Sequence, residues 1–235
     1  MGKVYAFSDL HGRYDLWRKI KEYLKEDDIA YCLGDCCDRG PDGIKIIAEI
    51  LEDNRIIYLL GNHEAALIDA LNLTPNEMTQ SDIQLLYHNG GYKTLMDFRK
   101  ILSKDKQKEI KDKLSNLPFQ TIYQNKKGYT IYLTHAGCDP EQIGNNTEKN
   151  AIWNRQHLLT EKWNNNFDYQ WLYIVHGHTP VQALPYLYGF GNDNIEILRY
   201  CENHKIDLDL ASFQSGKIAL LDLDTLEPIY FVDNN

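Results

Sequence analysis

Short apolar runs alternate with helical patterns along the first part of the chain. Val4–Ser8 has the length of a buried strand, and the segment after it places Leu16, Trp17, Ile20, Tyr23 and Leu24 on one face of a helix over Tyr14–Leu24. Ile29–Leu33 reads as the next strand and Gly43–Leu51 as the next helix. Ile56–Leu60 then reads as a third strand and His63–Ala70 as a third helix. This order predicts parallel pairing in an α/β sheet. From Leu71 to Leu117 the pattern is helical and more polar, with no strand in it. Beyond it, Thr121–Tyr123 and Tyr129–Thr134 flank a Lys-Lys-Gly turn, and Leu172–Val175 is a further strand. Ile206–Leu210, Lys217–Leu223 and Ile229–Val232 read as a meander of short strands. No repeat or low-complexity linker divides the chain, so we expect a single domain over 1–235 with a helical insertion around 71–117.

Composition narrows the class. Apolar residues make up 43% and charged residues 25% of 235 residues, as in an ordinary globular protein rather than a disordered or coiled-coil one. The longest uncharged stretch, Tyr169 to Asn192, contains two prolines and three glycines and is no membrane span. Asp9 arrives before any signal-peptide core could form, which points to a cytoplasmic protein. The net charge of −9 disfavours nucleic acid as a partner. Five cysteines, odd in number and without a C-x-x-C pair, predict free thiols.

The chemistry lies in the residues just past the strand ends. Ser-Asp-Leu-His-Gly puts Asp9 and His11 after the first strand, and Gly-Asp-Cys-Cys-Asp-Arg-Gly puts Asp35 after the second. Gly-Asn-His-Glu puts Asn62 after the third. His135 follows Tyr129–Thr134, and His178 follows Leu172–Val175 in His-Gly-His-Thr-Pro. In α/β sheets, ligands bind outside the carboxyl ends of strands, so five strand ends would line six metal-binding groups along one rim. Oxygen and imidazole donors suit Mn²⁺ first, with Fe or Zn²⁺ as alternatives, and six groups suit two ions sharing Asp35. Such a pair keeps surplus positive charge, attracts phosphate and generates hydroxide near neutral pH.

These motifs resemble the metal-dependent phosphoprotein phosphatases within the calcineurin-like metallophosphoesterases. The small bacterial and bacteriophage serine/threonine phosphatases are closest in length and spacing. The resemblance is dense from Lys3 to Leu67 and returns at Tyr129–Gly137, Ile152–Arg155 and Ile174–Val181. It implies a β-sandwich flanked by helices, with the site on loops at one edge. It implies one metal on Asp9, His11 and Asp35 and a second on Asp35, Asn62, His135 and His178. Arg39, Arg155 and Asn62 would hold the phosphate, and His63, oriented by Asp38, would be the general acid. The activity implied is hydrolysis of phosphoserine and phosphothreonine by in-line attack of a metal-bound hydroxide. Two other readings stand beside it: symmetrical hydrolysis of dinucleoside tetraphosphates, and a scaffold that binds phosphate without turnover. Relatives of the former kind tend to carry Asn where Asp38 stands, and degenerate members usually lose a ligand, whereas none is missing here.

Other features have plainer readings. His176 more readily supports a ligand or packs in the strand than binds metal itself. Cys36 and Cys37 read as small buried hydrophobes, with a peroxide-sensing thiol near the metals as the alternative. Arg99–Lys113 carries net charge +4 and reads as a solvated helix with pairs such as Glu109–Lys113, or as a docking surface for acidic substrates. The aromatic loop Tyr186–Phe190 is a candidate for the site rim, with plain packing as the alternative in a chain of sixteen tyrosines. Two departures from the family pattern stand out. Ser8 occupies a usual Gly position, and Ile206–Ala211 lacks the Gly of Ile-Asp-Thr-Gly-Ala, which leaves that loop's shape open.

Overall fold

The computed structural model describes residues 2–74, 77–159, 169–191 and 194–233. Two five-stranded sheets pack face to face. The first has the order β10-β9-β1-β2-β3, built from β1 (Val4–Phe7), β2 (Ile29–Cys32), β3 (Ile56–Tyr58), β9 (Lys217–Asp222) and β10 (Pro228–Val232). The second has the order β4-β5-β6-β8-β7, built from β4 (Gln120–Gln124), β5 (Thr130–Thr134), β6 (Leu172–His176), β7 (Leu198–Tyr200) and β8 (Lys205–Asp207). β1, β2 and β3 pair in parallel, joined by α1 (Tyr14–Tyr23) and α2 (Gly43–Ile50), as the alternating pattern predicted.

The period-two alternation of side chains assigns the layers. Ala6, Tyr31 and Leu33 meet Ile131, Leu133, Val175 and Ile206 between the sheets. On the opposite face of the first sheet, Tyr5 and Phe7 pack with Leu16, Trp17 and Ile20 of α1 and Ile46, Ile47 and Ile50 of α2. This is the expected β-sandwich flanked by helices. α3 (Asn62–Asn72) follows β3 as the third helix, and the helical insertion comprises α4 (Gln80–His88), α5 (Gly91–Ile101) and α6 (Lys104–Leu114). α3 and the insertion join the helical layer through Leu67, Leu95, Phe98, Ile110 and Leu114. Pro75 and Asn76 of the expected insertion lie outside the described residues. Among the described residues no helix is long and apolar enough to cross a membrane.

One expectation is corrected. β9 and β10 form an antiparallel hairpin in the first sheet, but Ile206–Leu210 does not extend it into a meander. Its β8 portion lies in the second sheet between β6 and β7. The physical reason is burial: Lys205, Ile206 and Asp207 are all buried, as befits an interior strand, and Leu208–Ala211 then crosses toward the rim where β1 ends. β7 escaped sequence reading because it is three half-buried residues with no alternation to detect. Three short helices, α7 (Glu148–Trp153), α8 (Leu184–Tyr188) and α9 (Ser212–Ser215), lie in the connections.

The buried Lys205 ammonium donates to Asp139 at 2.6 Å and to the His157 carbonyl at 3.0 Å. Removing only the carboxylate leaves a buried charge uncompensated. Asp139→Ala is therefore expected to cost about 3 kcal/mol in urea unfolding, and Lys205→Met less, because it removes the charge itself. The reverse order would show that the pair does not govern this region.

Candidate metal centre

Several of the predicted residues reach the rim by a hooked backbone. The strands end and the chain turns through left-handed conformations at Asp9 (φ 57°), His11 (43°), Asp35 (57°), Asp38 (67°) and His178 (73°). The hooks brace one another. His11 N–H donates to Asp35 O at 2.9 Å, Asp9 N–H to Gly34 O at 3.1 Å, and Gly12 N–H to Cys36 O at 2.8 Å. Asn62 and His63 open α3, and His63 N–H donates to Asp35 Oδ1 at 3.0 Å.

The six groups expected along one rim are brought together and buried. Asp35 is central. Its Oδ2 faces Nε2 of His135 at 3.4 Å, of His63 at 3.7 Å and of His11 at 3.8 Å. Two donor groups share this carboxylate: His11, Asp35 and His63 on one side, and Asp35, His135 and His178 on the other. Asp9 Oδ1 lies 3.7 Å from His11 Nε2, and Asn62 Oδ1 lies 2.9 Å from His135 Nε2 and 2.8 Å from His178 Nδ1.

The donor set fits metal. His11 Nδ1–H donates to Cys37 O and His135 Nδ1–H to Leu33 O, each at 2.9 Å, which turns both Nε2 lone pairs toward Asp35. Asp9 Oδ1 and His178 Nε2 are buried without a hydrogen-bond partner among the described residues, a costly state unless a cation satisfies them. Electrostatics agree. Burial drives His11 down to about 3, with His63 and Arg39 adding to the push against Asp35. Burial also opposes charge on His135, yet Asp35, Asp9 and Glu64 outweigh it and raise His135 to about 9. Burial raises Asp9, with Asp35 contributing. The centre demands positive charge.

Asp38 and the two arginines flank this cluster. His63 Nδ1–H donates to Asp38 Oδ2 at 2.6 Å. Burial lowers the His63 pKa, but Asp35 and the Asp38 hydrogen bond overcome it, so the net shift is upward. Arg39 is exposed beside the dyad, its Nη2 3.3 Å from His63 Nε2. Arg155 is exposed on the other side, where its Nε donates to Thr179 Oγ1 at 3.1 Å and its charge helps depress the buried His178. Beside the dyad opens a cavity of about 180 Å³, walled by Asp38, Ala66, Leu73, Met78, Leu86 and Trp153.

Sequence reading passed over Glu64, the last residue of the quoted Gly-Asn-His-Glu. It is fully buried and accepts from Asp35 N–H (2.7 Å), Cys36 N–H (2.9 Å) and Gly61 N–H (3.2 Å). It also passed over Thr94, which accepts from Asp38 N–H, and Ser212, whose hydroxyl donates to the Asp9 carbonyl. The Ile206–Ala211 loop closes without the family glycine. Asp207 accepts from Asp209 N–H, Asp209 accepts from Ala211 N–H, and Ala211 itself takes φ 50°. Cys36 and Cys37 are buried, and burial holds both thiols well above their usual range, which favours the packing reading. His176 Nε2 lies 2.7 Å from Tyr200 OH and takes no place in the cluster. Tyr188 and Phe190 line a separate cavity with Leu158, Tyr200 and Cys201.

A family model for calcineurin-like phosphoesterases matches residues 2–211. The chain belongs to the calcineurin-like phosphoesterase family. That makes it a metallophosphoesterase by family, with His and Asp groupings suited to metal. The asymmetrical bis(5'-nucleosyl)-tetraphosphatase PrpE of Oceanobacillus iheyensis is 27% identical over 63% of this chain and 61% of its own. Serine/threonine-protein phosphatase 1 of Salmonella typhimurium is 31% identical over 37% of this chain and 38% of its own. The chain spans about half the length of the curated relatives it matches. In fold, a metallophosphoesterase from Sphaerobacter thermophilus matches with a TM-score of 0.59 and 19% identity, over 98% of this chain and 87% of that one.

Gly61 tests how closely this calcineurin-like centre is packed. A Cβ there would crowd Asp35 Oδ1 and lie 2.5 Å from Asp35 N and 2.6 Å from Glu64 Oε2, so both carboxylates and the backbone between them would have to shift. Gly61→Ala is expected to cost about 2 kcal/mol in thermal unfolding and to weaken Mn²⁺ binding in calorimetry. Unchanged metal affinity would mean that Asp35 and Glu64 can shift without consequence.

Proposed function

We propose that this metallophosphoesterase uses two divalent cations, Mn²⁺ first among candidates, to hydrolyse phosphate monoesters of alkyl alcohols, phosphoserine and phosphothreonine in proteins among them. Asp9, His11 and Asp35 would hold one cation, and Asp35, Asn62, His135 and His178 the other. When bound, such a pair supplies Lewis acidity and lowers the pKa of water. The planar guanidinium groups of Arg39 and Arg155, with Asn62, bind and orient the phosphoryl oxygens from opposite sides.

One observation carries the choice of substrate: the 2.6 Å bond between His63 and the buried Asp38. An alkyl alcohol leaves as a strongly basic alkoxide and needs a proton at its oxygen. Asp38 holds the Nδ1 proton and favours the imidazolium, so that Nε2 has a proton to give. The cavity beside the dyad supports the same reading, because its walls are largely aliphatic and, among the described residues, include no cation. It suits a neutral peptide side chain better than a polyphosphate. The assembled cluster, with none of its groups displaced, favours catalysis over a binding scaffold.

A second reading, cleavage of dinucleoside tetraphosphates, is favoured by the names of several curated relatives. A nucleotide is a far weaker base than an alkoxide and gains less from a proton donor. A panel of phosphoserine peptides and diadenosine tetraphosphate, run with Mn²⁺, Fe²⁺ and Zn²⁺ after chelator treatment, separates them. We expect activity to vanish with chelator, to return with metal, and to show higher kcat/KM on the peptides. Preference for the tetraphosphate would establish the second reading.

His63→Asn is expected to lower turnover of alkyl phosphates by roughly 10²–10⁴ and of aryl phosphates less, since a phenolate needs less protonation. Equal losses on both would remove His63 from the acid role.

A further inference from the structure

The basic stretch that stood out in the sequence does not reach the metal centre. It forms one wall of an open cleft of about 500 Å³ at the far end of α3, between α5 and α6. Asn62 and His63 open α3, whereas Leu71, Leu73 and Thr74 at its end line the cleft. Eleven residues at 1.5 Å each put about 16 Å of helix between the two places. Four cations line the cleft, namely Arg99, Lys104, Lys108 and Lys111, together with Gln107 and Thr74, and among the described residues no carboxylate does.

The charges of α6 are sorted by helix face. Positions 104, 107, 108 and 111 form one stripe and turn to the cleft. Lys106 and Lys113 sit off that stripe and are paired, Lys106 with Glu52 and with Glu109 at 3.1 Å, and Lys113 with Glu109 at 2.7 Å. The cleft cations have no acidic partner among the described residues. Among the described residues Lys104 meets only Gln107 Oε1, at 3.3 Å. Arg99 Nη2 and Lys111 Nζ donate to terminal carbonyls of α3 at 3.3–3.4 Å, which caps that helix. Capping uses one nitrogen of the guanidinium, and among the described residues its Nε and Nη1 have no hydrogen-bond partner and can meet a ligand. A plain solvated helix would scatter its acids among its bases. Here, in a chain of net charge −9, the bases of one stripe converge unpaired.

We infer that this cleft is a binding site for an oligophosphate, either free or carried on a nucleotide. A single carboxylate would neutralise only a fraction of four cations, whereas linked phosphates present several charges along one short chain. The Arg99 fork matches phosphate oxygens two at a time, and Lys104, Lys108 and Lys111 supply point charges around it. The site is separate from the metal centre and stands whether or not the proposed monoesterase activity does.

The test uses the full chain after chelator treatment, carrying Arg39→Ala and Arg155→Ala so that the metal centre contributes no arginine to binding. Calorimetric titration with tripolyphosphate at low salt is expected to show one site, with ATP as a second arm to show whether a nucleoside adds affinity. Adding Lys104→Glu and Lys108→Glu is expected to weaken binding at least tenfold, and Lys104→Gln with Lys108→Gln several-fold. Both lysines are solvent-exposed, so the fold should survive, with circular dichroism as the check. Lys106→Glu with Lys113→Glu is expected to change affinity far less. Unchanged affinity in the Lys104 and Lys108 variants, or an equal loss in the Lys106 and Lys113 control, would overturn the inference. So would equal affinity for an oligoglutamate peptide, which would make the cleft a dock for acidic protein segments.

Discussion

Burying the Asp35 carboxylate is the constraint around which the rest of the rim is arranged. A charge taken out of water is tolerated only when opposite charge or directed hydrogen bonds replace the solvent. Asp35 has both. Oδ1 takes the His63 N–H at the start of α3, and Oδ2 looks at three imidazole nitrogens. The result is a carboxyl held well below its usual range: burial pushes it up, but His135 and His63 outweigh burial. Its neighbour Asp9 is raised instead, because burial and the nearby Asp35 act together with less compensation. Two carboxylates this close in a dry site cannot both be comfortable without additional positive charge, which explains why His135 is driven upward despite being buried.

Geometry at the rim is obtained at some backbone cost. Left-handed conformations of non-glycine residues are disfavoured, and here Asp9, His11, Asp35, Asp38, Arg39 and His178 all adopt one. The strain persists because neighbouring hooks share hydrogen bonds, so no single one can relax without breaking another. Glu64 fastens three of these N–H groups from beneath, at Asp35, Cys36 and Gly61. A buried glutamate with such a load is a positioning element: it touches the backbone that carries the donors and none of the donor atoms.

The parts legible in the sequence were those with local signatures. Strand and helix periods in the first seventy residues place β1 to β3 correctly, and polar residues just past the apolar runs identify the rim, because each signal is read within about ten positions. The illegible parts depended on distant partners. Ile206 reads as one more apolar strand residue, and nothing nearby says that it pairs with Val175 rather than with the β9–β10 hairpin. Thr94 looks like any helical threonine until the α4–α5 turn folds over the Asp38–Arg39 loop, where a Cβ on Gly90 would meet Arg39 N at 2.7 Å. Glu64 was in plain view within its motif, but its burial, and hence its role, is a tertiary fact.

α3 carries Asn62 and His63 and the helical insertion carries none of the donor groups, yet together they determine how those groups stand. α3 presents its N-terminus to Asp35, so the positive pole of the helix and the His63 N–H serve the shared carboxylate. α5 holds Asp38 through Thr94 and thereby the proton-bearing edge of His63. At the opposite end of α3 the negative pole meets Arg99 and Lys111. The same helix thus ties an acidic, cation-seeking rim to a basic cleft, and its dipole favours the charge found at each end. That arrangement sets the basic cleft about 16 Å of helix away from the buried carboxylates of the rim.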